Sequence, residues 1–353
     1  MKLQKLPHVV QREIVRTMSF TETTLLSFCS TRTKHMIKNT NWKVPRLLFT
    51  ITKKYISVHL CHDNWSNALS LVVLYVDEFM ENTEVLKLRN SSLEFRFIKL
   101  GYYLDYQQPV EYYGNSQDVI QVLNQFLDDS RYELYKHFID LFPNTPKIQL
   151  MTEVGTDLEL VPVPEYVTDL SIAGEEVDVN YVEEYFSKCQ DLQNALVGPE
   201  IKGQIMENSK ITTVKRLVCV DTKYQVKCLV FKFNGQVASF QGCRCKINVV
   251  IDVLKLWISN EAFQNVERLS MNAEFSSFDN FPYWEENVVL QEIESSQSDP
   301  SKRPENCGKK YEIASWILDP LECGNFRDIT RTIDGKRASF HVSTFDFHLV
   351  VWN

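Results

Sequence analysis

The sequence predicts an α+β protein: a short three-helix module at the N-terminus, then a larger mixed α/β body with β-hairpins toward its end. Three observations predict it. Apolar residues recur at helical spacing through residues 3–37, β-branched and aromatic runs begin at Leu47, and turn dipeptides punctuate the last third of the chain.

The first helix is expected to open at Leu6-Pro7, because proline's missing N–H costs nothing at a helix start and its fixed φ already fits. Val10, Ile14 and Thr17/Met18 then form an apolar stripe opposite Gln11, Arg12 and Arg16. Ser19 with Glu22 is a capping-box pattern, so a second helix carries Leu25, Leu26, Phe28 and Cys29. Ser30 caps a third helix over Thr31 to Lys38, with Met36 and Ile37 inward and Arg32, Lys34 and Lys38 outward. Helices this short cannot bury their stripes in a core of their own, so either a partner protein or the rest of the chain must cover them.

The series Leu6-Pro7, Val10, Ile14, Leu25-Leu26, Phe28-Cys29-Ser30, Arg32-Thr33, Met36-Ile37 resembles an F-box, the module that docks a substrate receptor onto the Skp-type adaptor of a cullin-based ubiquitin ligase. The resemblance implies an F-box over residues 1–44 and a recognition body over 47–353. It also implies Leu6, Pro7, Val10, Ile14, Leu25, Leu26, Phe28, Cys29 and Met36 as adaptor contacts.

Residues 39–46 form a polar connector ending at Pro45. Leu47 to Ile51 and Tyr55 to Leu60 have strand character, and Leu93, Phe95 and Phe97 alternate with Glu94 and Arg96 as a half-buried strand does. Residues 67–79 fit a strand or a buried helix equally. After Asn115, Val119, Val122, Leu123 and Phe126 stand at helical spacing and predict a helix; Tyr132 to Leu141 predicts another, ended by Pro143. The middle alternates strand and helix: strands at Val167 to Ile172, Leu192 to Val197, Val214 to Val220 and Val266 to Met271, helices at Tyr181 to Cys189 and Ile247 to Ile258. That rhythm suits a degenerate leucine-rich-repeat-like arrangement, in which each unit needs a neighbour to cover its apolar face; a mixed sheet with crossover helices fits equally. Hairpins are expected around Asn234-Gly235, over Val226 to Phe240, and around Asp334-Gly335, over Thr330 to Val342. Between them, Glu292 to Lys310 predicts an exposed loop.

The tail offers a second resemblance. Ile313-Ala314-Ser315-Trp316, Gly324 to Arg331, Asp334 to Ser339 and the closing Phe345, Phe347 and Val351-Trp352 look like the end of the type 2 F-box-associated domain of the large nematode F-box families. Leu254 to Ser259 with Val266 to Leu269 is similar to that domain's central signature, although Asn260 stands where a glycine often follows.

A formal net charge of −8 argues against a general nucleic-acid binder, and no apolar run reaches membrane-spanning length. The N-terminus does not resemble a signal peptide, and nine scattered cysteines fit reduced core residues better than a disulfide framework, so a cytoplasmic or nuclear protein, not a secreted one, is expected. The sequons at Asn64 and Asn90 then carry no weight. Phosphate-loop and nucleophile-elbow motifs are absent. His59-Leu60-Cys61-His62-Asp63 is the one cluster of metal-ligand types, without the second pair a zinc site needs. Cys243-Arg244-Cys245 lacks redox-pair spacing. Glu175-Glu176, Glu183-Glu184 and Glu285-Glu286 predict solvated faces, and Tyr102-Tyr103, Tyr112-Tyr113 and Phe281 to Trp284 predict core more than recognition surface. No cofactor or metal is expected. The function the resemblances imply is a non-catalytic substrate-recognition subunit of an SCF-type cullin–RING ubiquitin ligase. Its partners would be the adaptor, through it the cullin, and an unidentified target, with no nucleic acid or membrane. A plain α/β scaffold and an enzyme of unrecognised type are the alternatives.

Overall fold

The structure is a computed structural model; it describes residues 3–40, 42, 44–52, 55–61, 69–76, 84–87, 94–98, 118–123, 127–145, 147–156, 166–273, 284–297, 299–302 and 305–352. The chain divides into two compact units, Met1–Pro164 and Glu165–Asn353, so the N-terminal helices and the first strands share one unit.

The first unit opens with α1 (His8–Thr17), α2 (Phe20–Cys29) and α3 (Thr31–Lys38). Each start has a local cause. Pro7 stands just before α1, Ser19 and Glu22 form a complete capping box on α2, and Ser30 Oγ accepts the Thr33 N–H at the head of α3. There follow β1 (Arg46–Ile51), β2 (Tyr55–Cys61), β3 (Leu69–Val76), β4 (Glu84–Lys87), β5 (Glu94–Ile98), β6 (Asp118–Leu123), α4 (Leu127–Leu141) and β7 (Lys147–Glu153). The strands lie in the order β7-β1-β2-β3-β6-β5-β4. β1 runs parallel to β7 and β3 to β6; the other neighbours are antiparallel.

β6 overturns the helix expected there. Its backbone pairs with β3 on one side and β5 on the other. The β-branched Val119, Ile120 and Val122 suit such a strand, and pairing on both edges outweighs an apolar spacing that a helix would also satisfy. Residues 115 and 126 lie outside the described residues.

α4 carries the core of this unit. Phe138 is fully buried, with ring centroids 6.2 Å from Phe20, 6.3 Å from Phe28 and 6.4 Å from Phe49. Tyr135 lies 4.8 Å from Phe49, and Phe142 lies 6.3 Å from Phe20. One helix thus meets α2 on one side and β1 on another. His137 stacks on Phe28 at 4.3 Å, and its Nε2 lies 2.7 Å from Ser27 Oγ. The Ser27 hydroxyl hydrogen goes to the Thr24 carbonyl at 2.6 Å, so the imidazole donates through Nε2. Lys34 and Lys38, expected outward, each reach Asp140 at 2.7 Å.

The second unit contains β8 (Asp169–Ala173), β9 (Glu176–Asp178), α5 (Val179–Lys188), β10 (Asn194–Val197), β11 (Glu200–Lys202), β12 (Arg216–Cys219), α6 (Val226–Lys232), β13 (Val237–Cys243), α7 (Ile247–Ser259) and β14 (Arg268–Ala273). Then come α8 (Glu286–Glu292), β15 (Ser296–Gln297), β16 (Tyr311–Ile313), β17 (Trp316–Leu318), β18 (Arg327–Thr330), β19 (Arg337–Val342) and β20 (Asp346–Val351). β8, β10, β12, β13 and β14 lie side by side in chain order, all parallel. Asp169, Asn194, Arg216, Val237 and Arg268 share one register position. A sequential parallel run with a helix or turn between strands is the geometry of a short solenoid, at repeats of roughly twenty to thirty residues. The parallel pair β9 and β11 adds a second column. The run ends in the antiparallel series β20, β19, β18, β15.

The face of this sheet that a solenoid leaves open is filled by the chain itself. Among the described residues β16 and β17 pair only with each other, and Tyr311, Ile313 and Leu318 pack onto Val218 and Val237. Ser315 meets Ser171 at 3.2 Å, and the buried Arg268 guanidinium donates to the Asp319 carbonyl at 2.7 Å.

Three further expectations change here. Asn234-Gly235 does not turn a hairpin: α6 precedes it and β13 follows, beside β12 and β14. Gly235 is required for space, since a Cβ there would run into the Val214 carbonyl and the Phe233 ring. The Asp334-Gly335 hairpin does form, but its loop spans residues 331–336. The stretch 292–310 is not a bare loop, because it holds β15, turns at Pro300–Lys302 and Glu305–Gly308, and a buried Cys307. Cys307 is disulfide-bonded, against the expectation of reduced cysteines; Cys29, Cys189, Cys219, Cys228, Cys243 and Cys245 are free. Among the described residues no helix is long and apolar enough to cross a membrane.

Two outcomes test the α4 seat. Phe138→Ala should destabilise the first unit by about 3–5 kcal/mol, because three rings lose their common partner; urea unfolding measures it. Burial pushes His137 down to about 3 from an ordinary 6.5. The unfolded chain therefore takes up a proton that the folded chain refuses, and stability falls as pH drops from about 6.5 toward 3, by about 1.4 kcal/mol per pH unit for this group. His137→Phe should flatten that slope, which unfolding midpoints at pH 7, 5.5 and 4 would record.

Candidate functional site

After α2 and α3 have packed on α4, the apolar surface left on the N-terminal module lies mainly on α1. Val15 is the buried residue of the helix, and the Val10 and Ile14 stripe that spacing predicted is left exposed at Val10 and half-buried at Ile14. Val9 is 61% exposed and Val10 41%, beside an exposed Pro7 and half-buried Leu6 and Ile14. Gln11 fixes the entry of the helix by donating to the Leu6 carbonyl at 2.7 Å. Arg12 and Arg16 both reach Glu13, at 3.5 and 3.2 Å, so the charged side of α1 is paired within the helix.

α2 divides differently from its sequence pattern. Its inward face is Phe20, Thr23, Thr24, Ser27 and Phe28, while Leu25 and Leu26 are half-buried and Cys29 is exposed. The Cys29 thiol donates to the Leu25 carbonyl at 3.3 Å, an ordinary backbone contact within the helix. On α3, Met36 and Ile37 are buried. The structure therefore brings Leu6, Pro7, Val10, Ile14, Leu25, Leu26 and Cys29 to accessible or partly accessible positions. Phe28 stacks on His137 and Met36 points inward; both serve the unit's own core, because α4 is within reach and supplies the cover. Val9 was missed. Adjacent residues can share one helix face, as Met36 and Ile37 do on α3, so the doublet Val9-Val10 gave no signal by itself that both valines stand exposed.

The back of the module is held electrostatically as well. Hydrogen bonds from Lys34 and then Lys38 draw the Asp140 carboxyl down to about 2, so it stays charged across the physiological range. The arrangement presents an apolar surface on a braced support.

The other candidates are structural where they are described. His59 is buried on β2 with Nε2 2.7 Å from Ser57 Oγ, and burial lowers it to about 4. His62, Asp63, Asn64, Asn90, Tyr102-Tyr103, Tyr112-Tyr113 and residues 281–283 lie outside the described residues. Among the described residues no group of three His, Cys, Asp or Glu could hold a metal. Burial raises the Cys243 thiol to about 12. Trp284 is core, donating to the Cys245 carbonyl at 3.0 Å. Glu183 is a structural cap, accepting from Ser209 Oγ and from the Lys210 N–H.

No curated protein and no solved structure matches the chain significantly. Residues 3–44 match the F-box domain. Helices α1 to α3 lie within that stretch, and the match supports reading the chain as an F-box protein.

Proposed function

We propose that the chain is the substrate-recognition subunit of an SCF-type cullin–RING ubiquitin ligase, acting in the cytoplasm or nucleus. The carrying observation is the exposed Val9 and Val10 on α1, within the stretch that matches the F-box domain and at a face the chain's own core does not use. An F-box domain binds a Skp-type adaptor, and an apolar surface beside Leu6, Pro7 and Ile14 is what such an adaptor would cover. Leu25, Leu26 and Cys29 would extend the contact. The body, residues 47–353, would be the recognition region, and its tail keeps its resemblance to the type 2 F-box-associated domain as part of this proposal.

The chain itself contributes no chemistry in this reading. It raises the local concentration of target lysines beside an activated ubiquitin held by another subunit, and its benefit depends on holding the two at a fixed separation. The α4 seat supports that role, because Phe20 and Phe28 on Phe138, and two lysines on Asp140, join the adaptor-binding module to the helix that packs on the first unit's sheet.

Deleting residues before Asn41 would strip the cover from Phe138, so point changes on the exposed face are the better test. Val9→Glu with Val10→Glu should weaken binding to a purified Skp-type adaptor at least tenfold in a titration, with the circular-dichroism spectrum and unfolding midpoint unchanged. Unaltered affinity, or no binding by the folded parent chain, would leave a scaffold whose helices serve only its own core.

A further inference from the structure

On the sheet of the second unit the β16–β17 hairpin covers Val218 and Val237, so that part of the face is occupied by the chain itself. The loop between β18 and β19, residues 331–336, carries Ile333, which at 72% is the most exposed of the large apolar side chains described. This loop is heavily braced. Arg331, itself only 3% exposed, holds Asp334 through Nε and Nη2 at 3.0 Å and Asn260 Oδ1 through Nη1 at 2.9 Å, with its guanidinium 5.2 Å from the Trp257 ring centroid. Thr332 donates to the Ile258 carbonyl twice, through N at 3.0 Å and Oγ1 at 2.9 Å. Gly335, at φ +70°, donates to the Arg331 carbonyl at 3.0 Å. A buried arginine and these bonds hold in place a turn whose apex gains nothing for the fold. Pre-ordering an apolar side chain in water lowers the entropy cost of binding something to it.

The same end of α7 borders a cleft of about 480 Å³ lined by Phe231, Asp252, Lys255, Leu256, Ser259 and Glu261. Lys255 is paired with Glu292 at 2.7 Å. Asp252 and Glu261 are exposed and have no ion-pair partner among the described residues, so the cleft sets two free carboxylates beside the half-buried Phe231 and Leu256. We infer that the braced Ile333 loop and the α6–α7 cleft form one protein-docking surface, and that it takes a segment carrying a lysine or arginine next to an aliphatic residue. Ile333 would enter an apolar depression on the partner, and the partner's cation would meet Asp252 and Glu261. The assignment of this partner as the ligase target rests on the receptor reading; the surface itself does not.

The test selects a random peptide library displayed on phage against the full chain. Enriched peptides pairing basic with aliphatic residues are expected, with affinity reduced at least tenfold by Ile333→Asp and separately by Asp252→Lys with Glu261→Lys. Binding should also weaken between 50 and 500 mM salt, since exposed carboxylates are screened. Absence of enrichment, peptides without basic residues, or equal binding by both variants would overturn it. Adaptor titrations of the same variants separate the two readings: adaptor binding without peptide selection removes only this surface, and peptide selection without adaptor binding removes only the receptor role.

Discussion

Much of the first unit depends on the burial of one ring. Phe138 is the common partner of Phe20 and Phe28 from the N-terminal helices and Phe49 from β1. Helices as short as α1 to α3 hold little stability alone, and their ordering requires an apolar surface supplied from outside the module. α4 supplies it, and because the same helix lies against β1, the support is continuous from the N-terminal module into the sheet. The aromatic contacts set the distance. Asp140, bonded to two lysines one helical turn apart on α3, limits rotation about it.

That seat explains which parts of the chain were legible in sequence. The three helices and their caps were readable to within a residue or so, because proline before a helix and a capping box act locally. On α3 the inward Met36 and Ile37 were readable too, but the inward face of α2 was not, since the sequence could not say that α4, about a hundred residues later, would claim Phe28. The parallel strands of the second unit showed in their apolar runs and their spacing. Strand β6 was lost because Val119, Val122 and Leu123 satisfy two periods at once, and only the neighbours β3 and β5 decide between them. Asn234-Gly235 misled for a related reason: glycine signals a turn and a close approach in the same letter, and here the Val214 carbonyl decides. The candidate adaptor surface was legible as a region and blurred as a residue set.

The second unit resolves a conflict between a repeating architecture and its boundaries. Sequential parallel strands leave two unpaired edges and an open face, each a liability in water. At the β14 edge the antiparallel strands continue the pairing, and over the face the β16–β17 hairpin lies down as a lid of side chains. Some apolar surface stays in water: Ile333 at the tip of the 331–336 loop is the most exposed large apolar side chain described, and Tyr166, Met206, Tyr224 and Ile317 are exposed as well.

The distance in sequence between α3 and α4 has a consequence during synthesis. α3 ends at Lys38, whereas α4 begins at Leu127. A ribosome needs roughly 5–20 s to make the chain between them. Through that interval the contacts of Phe20 and Phe28 with Phe138 have not formed, and β1 must wait still longer for its parallel neighbour β7. The nascent chain therefore lacks the α4 cover of these rings through about a quarter of its translation. Any protein that binds it early competes with α4 for the face the finished fold keeps inside.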